Sequence, residues 1–140
     1  MDNEESEIGF VCCLYATAPF VTVQDLQEGF RKLSSVETEY VFAATSFPFP
    51  IQRAIQLSEK GDVSMFNPEN EMVRSQDLIE AYHDAGQFYW GKKSAFLKRK
   101  SFFSSGSKAI LLPRSRVQDI DTLDDWDFAE LLFSLLNKTQ

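Results

Sequence analysis

Between Val117 and Thr122 the chain reads Val-Gln-Asp-Ile-Asp-Thr, and a helical pattern follows from Leu123 to Lys138. In an extended segment residues two apart point the same way, so Asp119 and Asp121 are expected to present two carboxylates side by side, just before a helix. Like charges held that close repel unless a cation or hydrogen-bond donors compensate. A divalent metal is the usual remedy, and Mg²⁺ is typically held by one or two carboxylates plus phosphates. The same spacing also suits a surface Asp119 followed by an Asp121 that merely opens the helix. Spacing alone leaves both readings open.

The elements that would position this pair belong to a chain of 140 residues, 44% hydrophobic with 13 Phe and a net charge of −7. That length suits one domain with a real core. Residues 1–7 (MDNEESE) read as an acidic tail unlike a signal peptide, and residues 8–140 as the folded part. No apolar run approaches the roughly 18 residues of a membrane span, and the negative charge argues against nucleic acid as a partner. A negatively charged ligand therefore has to be received by local Arg and Lys or by a metal. One His and no Cys cluster make a poor zinc site. Cys12 and Cys13 are adjacent in an apolar run and read as two buried, reduced thiols of a cytoplasmic protein.

Gly9–Ala16 (GFVCCLYA) has the pattern of a strand buried on both faces in a parallel sheet. Thr22 reads as an N-cap with Asp25 at N3, opening a helix whose buried face is Val23, Leu26, Phe30 and Leu33. Tyr40–Thr45 is the next strand, completing a βαβ unit of an α/β fold. The run Phe47-Pro48-Phe49-Pro50 cannot continue a central strand. Arg53–Leu57 and Val63–Phe66 flank a turn at 58–62 and read as a hairpin, an excursion over about residues 50–82. Strand character returns at Gln87–Trp90, a short helix or turn follows at Lys92–Leu97, and Ala109–Leu112 reads as a last buried strand. Thr122 caps the final helix with Asp125 at N3, with Trp126, Ala129, Phe133 and Leu136 as its buried stripe. The basic run Lys98-Arg99-Lys100 reads as a solvated helix end. Phe103–Lys108 reads as a flexible loop.

Five stretches, in order, resemble the cytidylyltransferases that activate nonulosonic acids, the acylneuraminate/pseudaminic acid family, and the pseudaminic branch most. They are Leu14–Phe20 (LYATAPF), Thr45–Arg53 (TSFPFPIQR), Arg74–Leu78 (RSQDL), Ala81–Trp90 (AYHDAGQFYW) and Val117–Thr122 (VQDIDT), reaching across almost the whole chain. The resemblance implies a nucleotidyltransferase that joins the anomeric hydroxyl of a nonulosonic acid to the α-phosphate of CTP, releases pyrophosphate and uses Mg²⁺. It implies a cytoplasmic homodimer with CTP and a pseudaminic or sialic type acid as substrates. Asp119 and Asp121 match the family's metal-binding D-x-D.

On the substrate side, Thr17 matches the loop after a central strand. Arg74 and Gln76 match the R-x-Q-D segment, where Arg74 suits a sugar carboxylate or phosphate, or equally an ion pair across subunits. His83, Asp84, Gly86, Gln87 and Tyr89 match the sugar-side motif. Ala85-Gly86 stands where many sialic-acid members have Asn-Gly, and Phe20 where many have Arg; both departures fit the pseudaminic branch. No general base is marked. The family's glycine-rich basic loop, of the form P-A-R-G-G-S-K, has no counterpart in these 140 residues. The expectation is therefore a partial Rossmann-like nucleotidyltransferase sheet, the C-terminal part of the enzyme, lacking the first strand or strands and the phosphate loop and carrying a β-hairpin dimerisation excursion. Its expected turnover alone is negligible, and the alternative is a non-catalytic dimerisation or scaffold module.

Overall fold

The computed structural model describes residues 8–138, so the acidic tail expected at residues 1–7 lies outside the described residues. In chain order the elements are β1 (Phe10–Leu14), α1 (Val23–Leu33), β2 (Tyr40–Ser46), β3 (Ile55–Leu57), β4 (Val63–Met65), β5 (Tyr82–Lys92), α2 (Lys93–Leu97), β6 (Ser107–Leu111) and α3 (Leu123–Lys138). They form two compact units, residues 46–83 and the remainder of the chain on either side of them. The class is α/β with a mixed sheet.

The larger unit is organised by β5. The sheet order is β1-β5-β2-β6, with β1 antiparallel to β5 and β2 parallel to β6. The Lys92 amide donates to the Glu39 carbonyl at 3.0 Å, where the end of β5 meets the start of β2, so these two strands also run in opposite directions. This corrects the all-parallel reading of β1. The strand that follows β1 and α1 in the chain is not its neighbour, because the long β5 supplies ladder hydrogen bonds on both sides and lies between β1 and β2. β1 is an edge strand, not one buried on both faces: Leu14 is 52% exposed. Cys12 is half-buried and Cys13 exposed, which corrects the expectation of two buried thiols. Burial first, and then the neighbouring Cys13, raises the Cys12 thiol pKa.

The capping box of α1 forms as read. Asp25 N–H donates to Thr22 Oγ1 at 3.2 Å and Thr22 N–H donates to Asp25 Oδ2 at 3.1 Å. The buried face differs. Asp25, Gly29 and Leu33 are buried and Leu26 half-buried, while Val23 is 69% and Phe30 42% exposed. The cause is Trp90. Its indole donates to the Leu26 carbonyl at 3.0 Å, and a Cβ added at Gly29 would lie 2.8 Å from the Trp90 ring. The bulky partner sits on the sheet, so the helix offers its smallest residue there. Leu33, Val41, Ala43, Ala85, Phe88, Ile110 and Leu112 complete the core on this side.

The other sheet face carries aromatic rings. Tyr89 packs against Phe42 and Phe102, with Tyr40 and Phe96 beyond. The last strand starts at Ser107, inside the stretch read as a flexible loop, and of its residues only Ile110 is buried. Of the stripe expected on α3, Ala129 is buried and Leu136 half-buried, but Trp126 is 53% and Phe133 56% exposed. Leu123, Phe128, Leu131 and Leu135 are exposed as well. A helix apolar on several sides has no single face for periodicity to select. Among the described residues no helix is long and apolar enough to cross a membrane.

In the smaller unit, β3 and β4 pair antiparallel as Ile55↔Met65, Gln56↔Ser64 and Leu57↔Val63. Gly61 at φ +86° closes the turn, which a residue with a Cβ would enter only under strain. Ile55, Leu57, Val63 and Phe66 are all exposed.

Candidate functional site

The stretch carrying Asp119 and Asp121 is held from both ends. Ahead of it, a 3-10 turn at Arg114–Arg116 follows β6. The Arg116 guanidinium donates to Asp25 of α1 through two hydrogen bonds of 2.6 and 3.1 Å. The Arg116 carbonyl accepts from Gln87 Nε2 at 2.6 Å, and Val117 packs on the core. Behind it, the cap of α3 forms as read: Asp125 N–H donates to Thr122 Oγ1 at 3.2 Å, and Thr122 N–H to Asp125 Oδ2 at 2.9 Å. Asp121 N–H also donates to Asp125 Oδ2, at 3.2 Å. The Thr122 hydroxyl, then the Thr122 and Asp121 amides, hold the Asp125 carboxyl below its ordinary pKa. Gln118 Nε2 spans the Asp119 carbonyl and the Asp125 carboxylate at 2.8 and 3.1 Å.

The segment is irregular and bends at Asp121 and Thr122. Its backbone is tied while its two acids are not. Asp119 and Asp121 are both exposed, and among the described residues no hydrogen bond or ion pair engages either carboxylate. An all-oxygen, unpaired donor set on an anchored loop fits a hard cation such as Mg²⁺. It is a partial shell, since among the described residues no group of three or more acidic, His or Cys side chains converges.

Asp119 reaches β5 at Gly86. A Cβ built on Gly86 would lie 3.9 Å from Asp119 Oδ2, and Gly86 has φ +61°. Two residues earlier Asp84 folds back on the same glycine, its Oδ1 accepting the Gly86 N–H at 2.9 Å. Its Oδ2 accepts the Tyr89 hydroxyl. Burial first, then hydrogen bonds with Asp84 and Tyr15, pushes the Tyr89 hydroxyl pKa far above its ordinary value. Asp84, Gly86, Tyr89 and Asp119 are thus brought together around one turn of backbone. Gln87 is buried, and among the described residues its Oε1 has no hydrogen-bond partner. Thr17 stands exposed in the turn after β1, and Tyr15, two residues before it, packs on Tyr89 with ring centroids 5.4 Å apart.

Arg74 and Gln76 belong to the smaller unit, around the 3-10 turn Ser75–Asp77. Arg74 Nε and Nη2 donate to Asp77 at 2.8 and 3.3 Å, so its guanidinium is engaged locally, with both partners exposed. Gln76 lines a cavity of about 250 Å³ with Phe47, Phe49 and Leu78. His83, in the same unit, is half-buried with its ring 4.8 Å from that of Phe47.

No family model matches the chain. Individual relatives do. The chain is 45% identical over 125 residues to a pseudaminic acid cytidylyltransferase of Campylobacter jejuni, covering 89% of the chain and 54% of that protein. Over 89% of its length the chain is similar to a pseudaminic acid cytidylyltransferase. It is also 38% identical over 110 residues, 78% of the chain, to a Helicobacter pylori protein named pseudaminic acid cytidylyltransferase and UDP-2,4-diacetamido-2,4,6-trideoxy-beta-L-altropyranose hydrolase, of which it covers 21%. It is 28% identical over 125 residues, 89% of the chain, to an N-acylneuraminate cytidylyltransferase of Streptococcus agalactiae, of which it covers 29%. The chain spans about half the length of the curated Campylobacter relative it matches.

The structure adds residues that spacing and composition did not mark. Arg116 stood in a connecting Pro-Arg-Ser-Arg, and nothing in its spacing points to Asp25, 91 positions earlier. Tyr15 lies within Leu14–Phe20, and its alternation with Thr17 on the chain was the available signal.

Proposed function

We propose that this chain takes part in transferring CMP from CTP to a nonulosonic acid, of pseudaminic type before sialic type. The anomeric hydroxyl oxygen bonds to the α-phosphorus, the bond to the bridging oxygen breaks, pyrophosphate departs and the hydroxyl proton is lost. The observation that carries the reading is the anchored pair Asp119 and Asp121, with Asp119 against Gly86 of the sugar-side motif. The higher identity to pseudaminic than to N-acylneuraminate enzymes, 45% against 28%, favours the pseudaminic type.

Asp119 and Asp121 are the residues that would hold Mg²⁺. Bound there, the ion would supply charge neutralisation for phosphate oxygens as pyrophosphate leaves. Asp84, Gly86, Gln87 and Tyr89 serve the sugar side, together with Thr17 at the end of β1. Arg74, Gln76 and His83 serve substrate from the smaller unit. Arg74 then exchanges its exposed Asp77 partner for an anionic ligand, a replacement that costs little because exposed pairs are weak. Reduced thiols and a nucleotide substrate suit the cytoplasm.

We expect the 140 residues alone to release negligible pyrophosphate from CTP, Mg²⁺ and either acid, because they contain no glycine-rich basic loop to hold the triphosphate. Supplying the first half of a pseudaminic acid cytidylyltransferase as a separate polypeptide is expected to restore release, and Asp121→Ala to abolish it. Failure to restore, or restoration indifferent to Asp121→Ala, overturns the reading.

A second reading is a dimerisation or scaffold module. It is favoured by the exposed Ile55, Leu57, Val63 and Phe66 of the hairpin, which suit a homodimer contact. Sedimentation decides: a dimer dispersed by Leu57→Glu, with no nucleotide or sugar binding, supports it.

A further inference from the structure

The sugar-side motif places Tyr89 and Asp84 five residues apart on β5, and the positive φ of Gly86 between them interrupts the regular alternation of the strand. Asp84 is fixed through both oxygens. Oδ1 receives the Gly86 amide at 2.9 Å, an Asx turn onto the chain two residues ahead, and Oδ2 receives the Tyr89 hydroxyl. Two donors of this kind choose the carboxylate's rotamer.

Tyr89 is itself held on three sides. Its ring packs on Tyr15 at 5.4 Å, on Phe42 at 6.1 Å and on Phe102 at 5.1 Å between centroids. A ring so clamped has one direction in which to send its hydroxyl, and that direction is Asp84. The hydroxyl remains a donor at any working pH, because burial and its oxygen neighbours oppose ionisation. Asp119 lies near the same Gly86, its Oδ2 3.9 Å from where a Cβ would stand.

We propose that Tyr89 is a positioning residue rather than a substrate ligand: clamped by Tyr15, Phe42 and Phe102, it locks Asp84 on the Gly86 turn as the carboxylate that accepts a hydroxyl or amide N–H of the sugar. This rests on the sugar-side reading of the motif given above. Tyr89 acts only through Asp84, and the two side chains therefore form one energetic unit. Tyr15 enters as part of the clamp, which gives the turn after β1 a role in orienting the sugar side.

A double-mutant cycle on sugar binding tests this. The probe is pseudaminic acid, with N-acetylneuraminic acid as comparison, titrated calorimetrically into the whole chain. Tyr89→Phe keeps the ring packing and removes only the hydroxyl; it is expected to weaken binding about tenfold, the loss typical of one hydrogen bond to a charged group. Asp84→Asn is expected to weaken binding at least as much. The double variant is expected to bind no more weakly than Asp84→Asn alone, since Tyr89 then has nothing to position. Mn²⁺ binding at Asp119 and Asp121 serves as the readout that a general loss of structure would move and this role does not. Binding by Tyr89→Phe equal to wild type, or losses that multiply in the double variant, overturns the positioning role and leaves the proposed function standing. A wild-type chain that binds neither acid removes the sugar-side reading itself, and this role with it. If Tyr89→Phe also loses Mn²⁺, Asp84→Asn and Asp84→Ala are compared instead: equal sugar binding by Asp84→Ala and wild type overturns the proposal.

Discussion

Arg116 and Asp25 meet through two hydrogen bonds of 2.6 and 3.1 Å, tying the chain three residues ahead of Asp119 to the first turn of α1. The pair is mostly buried, and the capping Thr22 shares the same carboxylate. One acid thus caps a helix and anchors the loop that carries the candidate metal ligands.

Breaking that pair is expected to cost stability and to loosen the loop together. Arg116→Ala leaves a buried carboxylate with only Thr22, and we expect a loss of about 2 kcal/mol in urea unfolding at neutral pH. Burial works to raise the Asp25 pKa, but the hydrogen bonds from Arg116 and Thr22 outweigh it and hold the group below its ordinary 3.8. A depressed folded pKa means the contribution is fully present above about 3.8 and disappears as pH falls through the lower folded value. Wild type should therefore lose stability below pH 4 more steeply than Asp25→Asn, which has nothing left to protonate there. Parallel acid limbs would contradict the pair's role.

Alanine at two glycines is expected to fail for different reasons. At Gly86 the added Cβ meets Asp119 at ordinary contact distance, but the backbone sits at φ +61°. We expect Gly86→Ala to cost about 1 kcal/mol, the strain of an L-residue in the left-handed region. At Gly29 the backbone is helical and alanine is intrinsically favoured, yet the Cβ would approach the Trp90 ring to 2.8 Å. Gly29→Ala should therefore shift the indole environment, read as a change in Trp fluorescence, while Gly86→Ala leaves it unchanged.

Mn²⁺ offers a direct check on the acidic pair. Water-proton relaxation should report binding by wild type that weakens by an order of magnitude in Asp119→Asn or Asp121→Asn, each removing one of two charged ligands. Thermal melting should be nearly unaffected in both variants, because neither carboxylate supports the fold through a hydrogen bond or ion pair among the described residues. Unchanged Mn²⁺ binding in the double Asn variant would falsify the metal assignment.

The residue stretches Leu14–Phe20, Ala81–Trp90 and Val117–Thr122 identified the family before any geometry, because ordered motifs survive where single spacings are ambiguous. Local signals were equally legible. The Thr22–Asp25 and Thr122–Asp125 caps and the hairpin around Gly61 depend on neighbours within a few positions, and all formed. What failed depended on distant partners. An apolar run such as Phe10–Leu14 does not say whether it lies inside a sheet or at its rim; β5, some seventy residues later, decided that by taking the place beside it.

The sequence by itself determined the acids, their spacing and the kinship from which a chemistry is proposed for them. Only the tertiary structure decided that Gly29 lies under the Trp90 ring, that Arg116 is committed to Asp25, and that Asp84, Tyr89 and Asp119 gather around Gly86. The physical reason is the same in each case. Packing and ion pairing are settled by whichever side chain arrives from far along the chain, and residue order carries no direct record of that meeting.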